Sequence, residues 1–182
     1  MPSIRRPAAL VAGPTLAVLV AASVVAGPSA APHASGTFIN ASGAEVGWVK
    51  LTEDRTGLVH VNVKVEGLSA GLHGIHIHSV GSCSTTLTAF DGAGVHLNPA
   101  GHEHGLQNPA GPHAGDLPNL VVDLEGDGTL NAKTDRVTLG TTSLFDADGS
   151  AFIIHASQDN QTNTPANGGS GARIACAVVH PD

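Results

Sequence analysis

The most regular pattern in the chain is the segment LVHVNVKVEG at residues 58–67. Its four valines alternate with His60, Asn62 and Lys64. Successive side chains of an extended chain point to opposite faces, so the valines share one face and the polar residues share the other. This alternation predicts an antiparallel β-strand with one buried face.

Other short apolar segments, separated by turn residues, predict the remaining strands. They are TFINASG, EVGWVKLTED, HGIHIHSV, NLVVDLEGDGTLNAK (two strands around a turn at residues 125–128), RVTLG, SAFIIHA and ARIACAVVH. No segment has the apolar spacing of an amphipathic helix, and no internal repeat is present. Seven or eight short strands with turn signals between them predict an all-β sandwich or barrel.

Two long segments interrupt this pattern, at residues 81–118 and 157–172. The first is rich in Gly, Pro, Asn and His, and the second consists mainly of Asn, Thr, Gly and Gln. Loops of this length in a compact domain usually carry function. We therefore expect the chemistry of the protein to lie in these two loops and the strands beside them.

The first 31 residues differ in composition from the rest. Arg5 and Arg6 precede an apolar run at residues 7–27, and small residues follow. This order predicts a signal peptide cleaved near Ala30 or Ala31, leaving residues 32–182 as one exported domain, whether secreted, periplasmic or in the cell envelope. An uncleaved membrane anchor is the alternative, and the arginine pair leaves both the general secretory and the twin-arginine route open.

Charge narrows the choice of partners. The chain has 8 basic and 15 acidic side chains. Removal of the leader takes away two arginines and leaves a formal net charge of −9. So acidic a domain is a poor match for nucleic acid or an anionic membrane surface.

The chain has two cysteines, Cys83 and Cys176. In an exported protein an isolated pair predicts one disulfide bond, which here would close a long loop. Two free buried thiols are the alternative.

Histidines cluster strongly. The segment GLHGIHIHSVGSC holds His73, His76 and His78, and the last two would leave a strand on the same face. The first loop adds His96, His102, His104, His113 and Asp116, and FIIHASQD adds His155 and Asp159. This clustering beside a strand favours a metal centre over unrelated surface histidines.

The donor types indicate the metals. Imidazole-rich sites suit zinc and copper. His113 and Asp116, three residues apart, offer the carboxylate that completes a histidine-rich tetrahedral zinc site. His76, His78 and His155 would come from neighbouring strands and form an all-imidazole site, which favours copper(II).

Five segments together resemble the copper–zinc superoxide dismutase family. They are GLHGIHIH…GSC, GVHLNP, HAGDLPNL, FIIHASQD and GGSGARIACAVV, in the family's order, and the similarity covers roughly residues 36–179. The resemblance implies an eight-stranded Greek-key β-barrel. It also implies dismutation of superoxide to O₂ and hydrogen peroxide by copper redox cycling, with zinc as a structural and bridging metal.

The resemblance also implies the ligands of one copper and one zinc per subunit. His96 would be shared by both metals. The copper ligands would be His76, His78, His96 and His155, and the zinc ligands His96, His104, His113 and Asp116. His102 remains an alternative to His104.

Four further roles follow from the resemblance. Arg173 would be the active-site cation that attracts the superoxide anion, and His96 would also carry a proton. Asp159 would link a copper ligand to a zinc ligand, His76 and His104, from behind. His73 would tie loops together without binding metal. For Arg173 a surface ion pair is the alternative.

Two other functions stay open at this point. A dismutase-like copper-binding protein for storage or delivery would need the ligands without turnover. A β-sandwich held by a zinc clip would need no copper ligands. The substrate predicted here is a small anion, and a homodimer is compatible with the sequence.

Overall fold

The computed structural model describes residues 32–140 and 143–182, and the predicted signal peptide at residues 1–31 lies outside them. A short 3-10 turn covers Asp91–Ala93. Within the described ranges no helix has the length and hydropathy needed to cross a bilayer. Ten strands are present there: β1 His33–Asn40, β2 Glu45–Glu53, β3 Val59–Val65, β4 Gly71–His73, β5 Ile75–His78, β6 Leu120–Val122, β7 Gly128–Thr134, β8 Ala151–His155, β9 Arg173–Val178 and β10 His180–Pro181.

The strands form one antiparallel sheet that nearly closes into a barrel. Their order is β4-β6-β7-β3-β2-β1-β9-β8-β5, with β10 paired to β1. Because only Gly74 separates β4 from β5, the two ends of the sheet meet at one point in the chain. With β4 and β5 counted as one interrupted strand and the two-residue β10 set aside, the predicted eight strands are recovered.

The predicted alternation fills the barrel. All four valines of β3 are buried, and β7 beside it alternates strictly between buried and exposed residues. In β5, Ile75 and Ile77 pack into the same core. Each buried aliphatic side chain of this kind stabilises the fold by about 1.5–3 kcal/mol. The isoleucines therefore fix the orientation of β5 and direct His76 and His78 to its other face.

The strand predicted at RVTLG, residues 136–140, is wrong. Its backbone N–H groups bond to side chains instead of a neighbouring strand. The N–H of Thr138 donates to Ser143 Oγ at 3.0 Å, and that of Leu139 donates to the Glu53 carboxylate at 2.7 Å. Alternation alone could not show that side-chain acceptors replace a strand ladder here.

The two long loops cover the outer face of β5 and β8. The first loop bonds along β5, where the N–H of Ile77 donates to Gly115 O at 2.9 Å and that of Leu97 donates to Ile77 O at 2.8 Å. The second loop follows β8, where the N–H of Ala156 donates to Ala172 O at 2.8 Å. Even the outward-facing histidines of β5 are buried as a result.

The predicted disulfide is confirmed. Cys83 and Cys176 are bonded, with their Cα atoms 5.7 Å apart and a sequence separation of 93. Cys176 lies in β9, in a small apolar cluster with Phe90 and Ala93 of the first loop. The bond therefore fastens the first loop to the barrel.

Loss of this disulfide should destabilise the domain. Closing so long a loop in the unfolded chain is worth about 2–4 kcal/mol. The double variant Cys83→Ser/Cys176→Ser should show that drop in its free energy of unfolding in urea. A thiol assay on the unfolded, non-reduced native chain serves as the control and should find no free thiol. An unchanged unfolding midpoint in the variant would contradict the prediction.

Candidate metal centre

Two adjacent strands carry the first group of histidines. His76 and His78 lie on β5 and His155 ends β8, and these strands pair antiparallel with Ile75 opposite Ile154. The ring centroid of His155 lies 5.0 Å from that of His76 and 5.9 Å from that of His78. The sheet register therefore brings together three imidazoles that the sequence separates by up to 79 residues.

Each of these three rings has one bonded and one unbonded nitrogen. His76 Nε2 lies 2.5 Å from Asp159 Oδ2, His78 Nδ1 lies 3.0 Å from Gly94 O, and His155 Nδ1 lies 3.1 Å from Gly171 O. The opposite nitrogens are buried and have no hydrogen-bond partner among the described residues: His76 Nδ1, His78 Nε2 and His155 Nε2. Buried polar atoms are nearly always paired, so three such atoms side by side indicate a bound ligand.

His96 completes this first group. One donor atom from each of the four side chains lies within 4.8 Å of the others: His76, His78, His96 and His155. Hydrogen bonds on the far ring nitrogens are the usual support of metal-binding histidines. Four imidazole donors suit copper, so the first group fits the predicted copper site.

Burial lowers the pKa of three histidines in the first group. It lowers the pKa of His76 from 6.5 to about 3, that of His78 to about 2 and that of His155 to about 4. These rings are therefore neutral at neutral pH. Neutral imidazole is the form that binds a metal ion.

A second group surrounds Asp116. Its Oδ1 atom lies 3.0 Å from His104 Nδ1, 3.2 Å from His96 Nδ1 and 3.3 Å from His113 Nδ1. The Nδ1 atoms of His96 and His113 are also 3.3 Å apart. In a tetrahedral zinc site with bonds near 2.0 Å, neighbouring ligand atoms lie about 3.3 Å apart. The spacing of this group therefore fits the predicted zinc site.

His76 is also close to the second group, since donor atoms of His76, His96, His104 and Asp116 lie within 4.8 Å of one another. However, Nε2 of His76 is bonded to Asp159, and Nδ1 belongs with the first group. Nδ1 of His113 lies 3.3 Å from both Asp116 Oδ1 and His96 Nδ1, so His113 is the better fourth donor of the second group.

His96 belongs to both groups. Its Nδ1 atom faces Asp116 and His113, which leaves Nε2 for the first group. Seven side chains can therefore supply eight ligand positions when one imidazole is shared.

The alternative between His102 and His104 has a clear geometric outcome. His104 is buried against Asp116. His102 is exposed, and its Nδ1 lies 3.1 Å from Pro112 O. The structure thus brings His104 to the second group and leaves His102 outside it.

Asp159 contacts one histidine of each group. Its carboxylate contacts Nε2 of His76 at 2.5 Å and Nε2 of His104 at 3.1 Å. Asn119 holds its backbone through two hydrogen bonds of 2.8 Å. Gly168 packs so tightly here that a Cβ atom would lie 2.2 Å from Asp159 Oδ1.

His104 lies between two carboxylates. Burial lowers its pKa, but the hydrogen bonds with Asp116 and Asp159 outweigh burial and raise the pKa to about 9. Burial alone would raise the pKa of the Asp116 carboxyl. The hydrogen bonds from His104 and His96 outweigh burial, so the pKa of Asp116 lies well below its usual range. In the metal-free chain His104 therefore carries a proton that a metal ion at Nδ1 would displace.

Both ring nitrogens of His73 lie within hydrogen-bond distance of backbone oxygens. Its Nδ1 lies 2.7 Å from His155 O, and its Nε2 lies 2.8 Å from Ser69 O. It thus ties the end of β8 to the turn before β4 and is not a member of either donor group.

A cavity of about 620 Å³ opens onto the first group. His78, His96 and His155 form its floor, and Arg173 is the one cation among its lining residues. The Arg173 guanidinium donates to Phe90 O at 2.6 Å and to Gly94 O at 2.5 Å. The structure therefore places a fixed positive charge beside the candidate copper site.

Sequence reasoning missed several supporting groups. The carbonyl of Gly94 accepts from both His78 and Arg173, and Phe90, which holds the other side of Arg173, adopts a left-handed φ of 58°. The third supporting group is the Asn119 side chain, which holds the backbone of Asp159. Backbone acceptors and their partners leave no pattern in a single sequence, although Asn119 lies within a segment already noted for its histidine and aspartate.

A sequence profile of copper/zinc superoxide dismutases (SODC) matches residues 45–179. The chain belongs to the copper/zinc superoxide dismutase family. Membership confirms the resemblance found in the sequence, and with it the predicted Greek-key barrel.

Members of the copper/zinc superoxide dismutase family from several bacteria are similar along most of the chain. The superoxide dismutase-like protein YojM of Bacillus subtilis is 39% identical over 146 residues, which cover 78% of this chain and 73% of that protein. Superoxide dismutase [Cu-Zn] 2 of Aquifex aeolicus is 39% identical over 150 residues, covering 80% and 85%. The solved Cu/Zn superoxide dismutase of Brucella abortus has a TM-score of 0.69 at 27% identity, covering 81% and 99%.

The metal-free domain should lose stability in mild acid. His76, His78 and His155 have a pKa of 6.5 when unfolded and of about 4 or lower when folded. The unfolded chain therefore binds more protons as the pH falls below 6.5, and each ring removes up to about 1.4 kcal/mol per pH unit. The raised pKa of His104 acts oppositely, so its contribution is lost as the pH rises from 6.5 through about 9.

Urea unfolding of the metal-free protein at a series of pH values checks this prediction. The free energy of unfolding should be greatest near neutral pH and should fall on the acid side. A His155→Gln variant should fall less steeply there. Equal stability at about pH 6.5 and pH 4.5 would contradict the prediction, because three depressed pKa values require a difference.

Proposed function

We propose that this chain is a superoxide dismutase that converts superoxide to O₂ and hydrogen peroxide. The carrying observation is the set of three buried ring nitrogens, on His76, His78 and His155, that have no hydrogen-bond partner among the described residues. Two of these histidines, His78 and His155, line a cavity together with Arg173. One copper would be held by His76, His78, His96 and His155, and one zinc by His96, His104, His113 and Asp116. Family membership supports both metals.

Bound copper supplies a one-electron redox couple that accepts an electron from one superoxide and returns it to another. Product formation also needs protons. Nδ1 of His96 is held among the zinc-site donors, so the ring would keep its place while the lone pair of Nε2 is used either for copper or for a proton, in turn. His96 is thus both a ligand and a proton carrier.

Arg173 would hold the substrate anion. Two of its five N–H donors are used by the carbonyls of Phe90 and Gly94, which fix the guanidinium in position. The remaining donors can face the cavity, and the positive charge is permanent. A small oxyanion is therefore attracted to the open side of the copper site.

A copper storage or delivery protein is the second candidate, and the site does not favour it. Storage needs ligands but no cation placed for an anion beside them. Both features occur together here. The Cys83–Cys176 disulfide further supports an exported location, because such bonds persist in oxidising compartments.

Ligand variants test the proposed function. The purified protein should bind copper and zinc in about equal amounts and consume superoxide. His155→Ala should lose copper and turnover while it retains zinc, because His155 contacts only the first group. His113→Ala should lose mainly zinc and stability.

His102→Ala provides the matched control for His104→Ala. The exposed His102 should be dispensable, whereas the loss of His104 should weaken zinc binding. Metal content measured by atomic spectrometry, together with superoxide consumption, would decide. Copper bound without any turnover would support storage instead, and equal zinc content in His113→Ala and the unmodified protein would contradict the zinc assignment.

Superoxide turnover should depend only weakly on salt. Residues 81–94 and 158–172 contain no Lys or Arg, and the domain after residue 31 has a formal charge of −9. Arg173 therefore supplies the local attraction at short range, where salt screens little over distances below about 10 Å. Arg173→Gln should reduce the rate about tenfold or more, the usual value of a charge-assisted contact.

The salt prediction is checked by steady-state rates over a tenfold range of ionic strength. Lys133→Gln, which removes an exposed charge on β7, is the control for Arg173→Gln and should be nearly neutral. A steep fall in rate with added salt would show that other cations guide the anion.

A further inference from the structure

Arg136 is a second, partly buried cation near the metal centre, and it is not among the residues that line the cavity. It follows β7, where its backbone N–H donates to Thr134 Oγ1 at 3.2 Å. Its side chain turns inward, and Nη2 donates to the main-chain oxygen of Asp116 at 2.6 Å. The guanidinium therefore contacts the candidate zinc group through the main chain of Asp116, outside the set of residues that line the cavity.

Asp116 is held at three points. Its Oδ2 atom accepts the N–H groups of Gly105 and His113 at 2.8 and 3.0 Å. Its main-chain oxygen accepts from Arg136, and its backbone forms an isolated bridge with His76. The two Oδ2 contacts come from the same long loop as Asp116, whereas the bridge with His76 of β5 and the bond from Arg136, which follows β7, connect Asp116 to two different parts of the barrel.

Charge gives this contact a second effect. Asp116 and Asp159 are both buried to 1% exposure, and both contact His104. The guanidinium charge of Arg136 is attracted to the Asp116 carboxylate and does not compete for the ring donors, because its hydrogen bond goes to the main-chain oxygen. Lysine would match the charge but not the planar geometry that lets a guanidinium hold a fixed direction.

We infer that Arg136 is a positioning residue of the zinc group. It anchors the main chain of Asp116 to the barrel, so that Oδ1 stays among the Nδ1 atoms of His96, His104 and His113. This role rests on the proposed function for the identity of the metal.

Zinc affinity of the full mature chain tests this role. Metal-free protein would be titrated with zinc against a chromophoric chelator, and separately with copper. Arg136→Met should lose about tenfold or more in zinc affinity, the usual effect of removing a partner behind a metal ligand. Copper affinity should change much less, because the Arg136 contact is to Asp116 alone.

Two further variants separate positioning from general stability. Arg136→Lys keeps the charge and should recover part of the zinc affinity. Lys133→Met removes an exposed charge on β7 and should bind zinc normally. The visible spectrum of Co²⁺ placed in the zinc site should change in Arg136→Met and remain unchanged in Lys133→Met, because it reports the geometry of the donor group.

The outcomes are distinct. Normal zinc affinity in Arg136→Met, or equal losses of zinc affinity, copper affinity and metal-free stability, would overturn the positioning role. If Arg136→Met does not fold, the Arg136→Lys protein decides, and an unaltered Co²⁺ spectrum with normal zinc affinity there would count against the geometric role. If the unmodified protein binds no zinc, the proposed function fails first, and this inference fails with it.

Discussion

The structure depends on the burial of three imidazoles whose ring nitrogens have no partner within the described chain. Isoleucines on the opposite face of β5 and β8 bury themselves in the barrel and so fix the direction of His76, His78 and His155. An unpaired buried donor or acceptor costs about 1–3 kcal/mol. Three together would be a substantial loss for a small domain, and a shared metal ion removes it. The strands thus position the three histidines, and a bound metal would satisfy their unpaired ring nitrogens.

The two long loops are organised around the same constraint. Asp159 in the second loop contacts one histidine of each group, and Asp116 in the first loop collects three imidazoles around one oxygen. The Gly94 carbonyl accepts from both His78 and Arg173. The same network of hydrogen bonds therefore positions the candidate metal ligands, the Arg173 side chain and both loops. A change at any of these points should alter metal binding and stability together.

The sequence predicted the barrel and the clustering of histidines because both leave local patterns, whereas the division of the ligands between two metals came from the family resemblance. Valines in alternation indicate a strand, and histidines two apart on a strand indicate a shared face. The strand predicted at RVTLG was wrong because the side chains of Glu53 and Ser143 accept its N–H groups. The local sequence pattern reveals neither acceptor. The sequence did not indicate the supporting roles of Phe90, Gly94 and Asn119 for a related reason. Those roles depend on which backbone atoms come into contact, and only the three-dimensional fold determines that.

Element-specific diffraction from crystals of the metal-loaded protein tests the central claim most directly. Data collected on either side of the copper and zinc absorption edges distinguish the two ions. The account predicts copper among His76, His78, His96 and His155, zinc among His96, His104, His113 and Asp116, and the His96 ring between them. A single zinc at Asp116, with only water beside the three unbonded nitrogens, would contradict it.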